Sequence, residues 1–596
     1  MTQQHFVSYR IISLCTRSHY YDLSLEISDP DPSGQQLSLP TWIPGSYLIR
    51  EFARNVLDIS AKDAQGNPVF IEKINKNTWR AAPCDGALFI QYRIYAFDLS
   101  VRSAWLDSER GFFNCSSLCL EVIGASHLPC YLEICPQLSL SHWRVGTSME
   151  AVRIDAHGWG LYRANSYSDL IDFPVELADF QTACFQVAGV SHRLILSGRV
   201  EGDVARLASD LQKICQAQVD FFGGTPPFEQ YVVMLYLGEG LYGGLEHRDS
   251  TALMADPKCM PKQGQSKISD DYLELLALCS HEYFHAWNVK RIIPTQFCPY
   301  DLNTENYTKL LWAFEGITSY YDDLFVLRAQ LIDTPRYLTQ IARTASGVAK
   351  VPGRFHQTLE SSSFDTWIKL YRPDENTPNS AVSYYQKGAL VALALDLTIR
   401  QATNEEKSLD TVMQALWARA QAGMSQIAET EWELLAQQVT GISLVEFFDH
   451  ALRRCEDLPL EALLKHFGIK MEWAAASSSS DRGGWRTEAP AESAGDVVSL
   501  GAKLAPDAVG LKVTHVLDGG ALQNAGVSAG DILIAADGIR LRDVDSWLQK
   551  LTPGQQVSLM LFRRERVLQC EMLCLPAPLD TCWLSYQALS GAWPAN

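Results

Sequence analysis

Long apolar runs are missing from this chain. No window approaches the roughly 18 uninterrupted apolar residues that a membrane-spanning helix requires, so no transmembrane helix and no membrane partner are expected. The segment from Met1 to Tyr20 carries Arg10 and Arg17 and only the short apolar run Ile11-Ile12-Ser13-Leu14. It has no apolar core and no small-residue cleavage site of a secretory signal, and a cytoplasmic location is expected. A run of basic residues is also lacking. Lys and Arg number 50 against 69 Asp and Glu, a net charge of −19. That balance argues against nucleic acid, which needs clustered cations. It suits attraction of cationic groups such as the free amine of a peptide.

Cysteine is present but not in the repeated short-spaced pairs of a zinc ribbon. The fifteen cysteines are spread along the chain, with Cys115/Cys119, Cys130/Cys135 and Cys570/Cys574 as the close pairs. Buried free thiols in a reducing compartment are expected. The oligomeric state is not encoded in any of these features.

A chain of 596 residues is too long for one core and implies several domains. Residues 1–185 alternate apolar and polar residues in short runs, such as Leu88-Phe89-Ile90-Gln91-Tyr92-Arg93-Ile94-Tyr95. This predicts an antiparallel β-sandwich or saddle. The stretch Pro40 to Arg54 is dense in aromatics and arginine and reads as an inter-domain packing patch rather than a substrate contact. Residues 186–350 mix a helix over Val204 to Phe222, a strand over Tyr231 to Leu237 and further helices over Tyr272 to Val289, Lys309 to Arg328 and Pro335 to Ala349. Residues 350–382 read as a long loop. A helical domain is expected over 351–473, with helices from Ser383 to Gln401 and at 408–421, 429–439, 443–454 and 459–466. The Ala/Ser/Gly/Pro-rich stretch 474–496 reads as a flexible linker, and 497–580 as a compact final unit.

The chemistry concentrates at His281-Glu282-Tyr283-Phe284-His285. On a helix, residues four apart share a face. His281 and His285 can therefore offer two imidazoles to one metal ion, with Glu282 placed to take a proton from water there. A catalytic zinc needs a third protein ligand, and two downstream carboxylates compete. Glu305 sits in the polar stretch Asp301-Leu302-Asn303-Thr304-Glu305-Asn306. Glu315 sits in an amphipathic helix within Leu310 to Tyr321, and is the expected ligand. Upstream, Gly243-Gly244-Leu245-Glu246-His247 follows a strand, where glycines let another backbone approach closely.

These motifs resemble the zinc aminopeptidases with a His-Glu-x-x-His…Glu site, and within that clan the M61 glycyl aminopeptidase family. The resemblance rests on the run His281 to Pro294, the Gly-Gly-Leu-Glu-His loop, the Pro-Gly-Ser-Tyr-x-Ile-Arg segment at 44–50 and a final segment like a PDZ domain. His247 stands where better-known aminopeptidases have asparagine, and the gap from His285 to Glu315 is longer than theirs. Both departures agree with M61. The resemblance implies a multidomain α+β protein with an N-terminal antiparallel β-domain, a thermolysin-like catalytic domain with a helical C-terminal part, and a PDZ domain. It implies one zinc ion held by His281, His285 and Glu315, with Glu282 as general base and then proton donor to the leaving amine. Residues Gly243 to His247 would line the substrate, and Glu246 would bind its free α-amine. A tyrosine would hydrogen-bond the oxyanion, and Tyr385 is preferred over Tyr384. The implied partners are peptides with a free N-terminus, small residues such as Gly or Ala being favoured there.

The segment Gly519 to Gly538 resembles the PDZ signature, with Leu500-Gly501-Ala502 as carboxylate loop for a C-terminal peptide. Two rival functions stand beside the aminopeptidase. One is a thermolysin-type zinc endopeptidase, which needs an open cleft beyond the first residue. The other is a PDZ scaffold with a vestigial metal site, which would have no need of Glu282.

Overall fold

The structure, a computed structural model, describes residues 5–487, 497–586 and 593–594. Its contacts divide the chain into two compact units, residues 1–306 and 307–596. The division falls inside the stretch 186–350 expected as one domain. The protein is multidomain α+β, with a β-rich N-terminal part and a helical part. Among the described residues no helix is long and apolar enough to cross a membrane. All fifteen cysteines are free.

The N-terminal strands follow their two-residue period. In Tyr20–Ile27 every second residue, from Tyr21 to Ile27, is buried, which puts one face of the strand on the core. Eight strands make the main sheet, and two four-stranded sheets complete the region. One pairing departs from the antiparallel expectation. Val7–Cys15 runs parallel to Cys130–Ile134, with Val7 opposite Cys130. Strands so far apart in sequence need no tight turn, so either direction is open to them.

A second sheet follows. Its strands are β1 (Gln181–Val187), β2 (Val190–Gly198), β3 (Gln230–Leu237), β4 (Tyr242–Glu246) and β5 (Ser250–Ala255), ordered β1-β2-β3-β5-β4. β2, β3 and β5 are parallel, and β4 closes one edge antiparallel to β5. β5 is buried along its whole length, as expected of a strand covered on both faces. Helices α1 (Val204–Phe221) and α2 (Asp270–Phe284) accompany this sheet. The β-rich region packs on it through Ile43, Val101 and Phe112, which share a buried cluster with Leu245, Ala252 and Met254. Arg110, in a buried two-point ion pair with Glu176 at 2.8 Å, also lies 4.2 Å from the ring of Tyr236 on β3.

In the second unit α3 (Ile317–Arg328) and α4 (Gln386–Ala402) are long and mostly buried. The helices at 409–421, 429–440, 445–453 and 460–466 lie close to expectation. Residues 350–382, expected as loop, instead hold four short helical turns beginning at Pro352, Leu359, Asp365 and Thr377. Their polar composition hid buried contacts such as Ser362 Oγ to the Val382 carbonyl. The expected linker is partly structured. Ile469–Ala475 and Gly484–Trp485 both pair with Leu579–Tyr586, and residues 488–496 lie outside the described residues. A strand about a hundred positions away supplied the order, so local composition carried no sign of it. The last sheet runs Ala502–Pro506, Leu511–Val516, Ile532–Ala536, Gln556–Arg563, Arg566–Leu573 around Val513, Leu533, Val557 and Leu559.

His192 on β2 joins the sheet to α2. The Val190 carbonyl lies 3.0 Å from its Nδ1 and fixes the proton there, so Tyr283 donates its hydroxyl to Nε2 at 2.8 Å. Burial lowers its pKa to about 4. The unfolded chain therefore binds the extra proton first, and this contribution is present above about pH 6.5 and lost as pH falls toward 4. The total over that range amounts to roughly 3 kcal/mol. Unfolding curves of wild type and His192→Gln between pH 7 and 4 should show a shallower acid dependence for the variant.

Candidate active site

Helix α2 starts with Ser269, whose hydroxyl accepts the Tyr272 amide at 3.1 Å, and carries Asp270 and Asp271 in its first turn. A polar cap and acidic first turn both stabilise a helix N-terminus. The helix ends at Phe284 rather than the expected Val289, and His285 is its C-cap. The chain then turns back, with the amides of Val289 and Lys290 both directed to the His285 carbonyl. His281 and His285 still share a face. Their ring centroids are 4.6 Å apart with planes at 84°.

The donor chemistry of His285 fits a metal. Its Nδ1 lies 2.7 Å from the Asn288 carbonyl, and a carbonyl can only accept. The proton therefore sits on Nδ1, and the Nε2 lone pair is the ligating one, the usual arrangement of a metal-binding imidazole. Two imidazoles and a carboxylate are a zinc set.

Strand β4 brings the second group. The His247 amide donates to the Ser250 carbonyl. With the two-residue period of an antiparallel edge, Leu245 and Gly243 also pair inward, while Gly244 and Glu246 face outward. The side chain of Leu245, expected along the substrate, is instead wholly buried in the apolar cluster with Ile43 and Phe112. Gly244 is fixed by close approach: a Cβ there would fall on the Glu282 carboxylate. Glu246 is 4% exposed, and its Oε1 has no hydrogen-bond partner among the described residues. Donor atoms of Glu246, Glu282 and His285 all lie within 4.8 Å of one another.

Three contributions from the β-rich region were not foreseen. Gly45, at φ +92°, lies so close to Glu246 that a Cβ would sit 2.5–2.7 Å from its carboxylate. The Pro40–Arg54 stretch thus meets β4 at Glu246 as well as packing elsewhere, its Trp42 indole donating to the Asp301 carbonyl at 2.9 Å. Arg102 donates to the outward carbonyl of Gly244 at 3.0 Å. Asp172 accepts from Lys290 Nζ at 2.9 Å and from the Arg248 amide at 2.8 Å, with His247 Nδ1 at 3.4 Å. Burial would raise the pKa of Asp172, but Lys290, His247 and Arg248 outweigh it and hold the carboxyl well below the usual range. This charge ties the end of β4 to the chain leaving α2. Gly45 and Lys290 lay within motifs already singled out, whereas Asp172 and Arg102 carried no local signal.

The second unit holds Glu315, Tyr384 and Tyr385. Glu315 is buried, and not in the α-helix expected from Lys309: it lies in a π-helical turn, Trp312–Gly316, that leads into α3. Such turns often mark functional positions. Gly316 meets Gly388 of α4 backbone to backbone; a Cβ on Gly316 would lie 2.6 Å from the Gly388 Cα. This seats Glu315 beside the tyrosines preceding α4. Tyr384 is buried with its hydroxyl 3.0 Å from Thr366 Oγ1, while Tyr385 is half-buried with its hydroxyl 3.3 Å from that of Tyr371. Burial first, then the Glu315 carboxylate and neighbouring phenols, raise the Tyr385 pKa well above its ordinary value, so it remains a donor. The competing Glu305 is tied to Thr304 in its loop at 3.2 Å. In the last sheet Gly501 has φ +61°, and its carbonyl accepts from Leu517 while that of Leu500 accepts from Leu522. Ala502 begins an edge strand.

Two family models match, Peptidase M61 N-terminal domain over residues 8–179 and M61 glycyl aminopeptidase over 274–391. The crystal structure of an aminopeptidase N family protein from Idiomarina loihiensis is similar at 36% identity, with a TM-score of 0.93 over 98% of both chains. An M1 zinc metallopeptidase from Deinococcus radiodurans gives a TM-score of 0.48 at 14% identity, over 77% of this chain and 95% of that one. No curated protein matches. The chain is a peptidase. It belongs to the M61 family.

Asp172→Asn leaves Lys290, which is 7% exposed, without its counter-charge. It should lower the unfolding free energy by about 3 kcal/mol, the low end for a broken buried pair. Adding Lys290→Met should recover part of the loss in the same denaturant titration.

Proposed function

We propose that this protein is a zinc aminopeptidase releasing one residue from the free N-terminus of a peptide, with glycine or alanine favoured there. The observation that carries the reading is Glu246, a buried carboxylate with an unmatched oxygen beside Glu282 and His285. A buried carboxylate oxygen without a donor is costly. A substrate ammonium brings both the charge and the donors that it lacks. The preference for glycine is drawn from the description of the matching family model.

His281, His285 and Glu315 are the proposed ligands of a single zinc ion. Zinc bound there supplies a Lewis acid for the scissile carbonyl and for the attacking water. Glu246 pairs with the α-ammonium and fixes which peptide bond is presented. Glu282 accepts the proton of the attacking water on its carboxylate and returns it to the leaving amine as the C–N bond breaks. Tyr385 donates its phenol hydrogen toward the oxyanion, and the Tyr371 hydroxyl orients it. The outward edge of β4, beside the Gly244 carbonyl that accepts from Arg102, holds the substrate backbone. The catalytic fold is read as thermolysin-like on the mixed sheet with β4 as its antiparallel edge. The last sheet is read as a PDZ domain, its edge Ala502–Pro506 accepting a C-terminal peptide as an added strand with Leu500, Gly501 and Ala502 at the carboxylate.

Glycyl and alanyl arylamides, assayed beside an internally quenched peptide with a blocked N-terminus, test the reading. Wild type should cleave the first two and leave the third intact, and Glu282→Gln should lose about a thousandfold in kcat. Cleavage of the blocked peptide would make the enzyme an endopeptidase instead. Gly45→Ala, which forces a methyl group onto the Glu246 carboxylate, should raise KM for the arylamides at least about tenfold while zinc content, measured by atomic emission, stays unchanged.

A further inference from the structure

The second unit contains a cavity of about 760 Å³ that the peptidase reading does not use. Its size falls in the range of small-molecule sites, which are mostly apolar with a few placed polar groups. Leu458, Leu460, Met471 and Trp473 line it, with Leu579 beside them. Trp473 and Leu579 are 36% and 55% exposed, so the apolar lining continues to the surface.

One wall carries Lys387, in the first turn of α4. This side chain is 2% exposed. Its ammonium reaches the Glu456 carbonyl at 3.4 Å, the outer limit of a hydrogen bond. Burial lowers its pKa. The adjacent carboxylate of Asp457 is taken by Arg354, whose Nε lies at 3.0 Å. The lining carries the cations Arg354, Lys387 and Lys465 and the anions Asp457 and Glu461, one positive charge in excess, and of these Lys387 is the one withdrawn from water. An ammonium removed from water calls for a full set of acceptors, and Lys387 has one long bond.

We propose that this cavity is a binding site for an organic monocarboxylate with an apolar body, its carboxylate on Lys387 and its body along Leu458, Met471 and Trp473. A single negative charge matches the excess, whereas a dianion such as a phosphate monoester would meet Asp457 and Glu461. The carboxylate could belong to an acyl chain or to the C-terminus of a short apolar peptide. These share the same head group and differ in the body.

Titration of the full-length protein by calorimetry and by tryptophan fluorescence separates the cases, using decanoate, N-acetyl-leucyl-phenylalanine and the neutral decanol as probes. Saturable one-to-one binding of decanoate or of the acyl dipeptide is expected, and the tighter of the two identifies the body. Decanol should bind at least tenfold more weakly. Lys387→Met should weaken the carboxylate at least tenfold and leave decanol unchanged, and Trp473→Phe should remove the fluorescence response while heat is still released. If Lys387→Met does not fold, Leu458→Trp, which fills the cavity from its rim, should abolish binding instead. Absence of saturable binding by both carboxylates, or decanol binding as tightly as decanoate, overturns the proposal.

Discussion

Everything at the centre of this enzyme depends on one missing side chain. At Gly244 the edge strand β4 lies directly against α2, and the Glu282 carboxylate occupies the space that a Cβ would fill. Because nothing stands between strand and helix, Glu246 on β4 comes within reach of both Glu282 and His285. A single methyl group would push apart the two carboxylates on which recognition and proton transfer are proposed to rest. The strand is also the edge of its sheet, paired on one side only with β5.

Holding an edge strand in place without a second strand is a mechanical problem. The β-rich region solves it from three directions. Ile43, Val101 and Phe112 bury the inner side of β4 at Leu245, Arg102 takes a carbonyl on the outer side, and Asp172 pins the turn after Glu246 to Lys290. Apolar burial supplies the bulk of the adhesion, while the charged contacts fix position. The result is that a strand of five residues carries a buried carboxylate.

Much of this was legible in the chain. The spacing of His281 and His285 on a helix, the strand followed by a glycine pair, and the alternation in residues 1–185 each have a local cause, and each appears. What was missed has a non-local cause. Asp172 is an ordinary aspartate until Lys290 arrives from 118 positions away. The π turn at Glu315 lies where Gly316 meets Gly388 of another helix, a contact that residue periodicity over 309–328 does not carry. Leu245 sits in the substrate motif by sequence, yet the pleat turns its side chain away from the edge. The order in Ala474–Ala475 comes from a strand that follows the final sheet. In each case the chain announces the residue type and conceals the partner.

The contact of Gly316 with Gly388 has a dynamic meaning. Packed side chains act as a compliant layer, because rotamers can shift to absorb a small displacement. Here two backbones touch with no such layer. A displacement of the turn bearing Glu315 is therefore passed to the first turn of α4 with no rotamer change to absorb it.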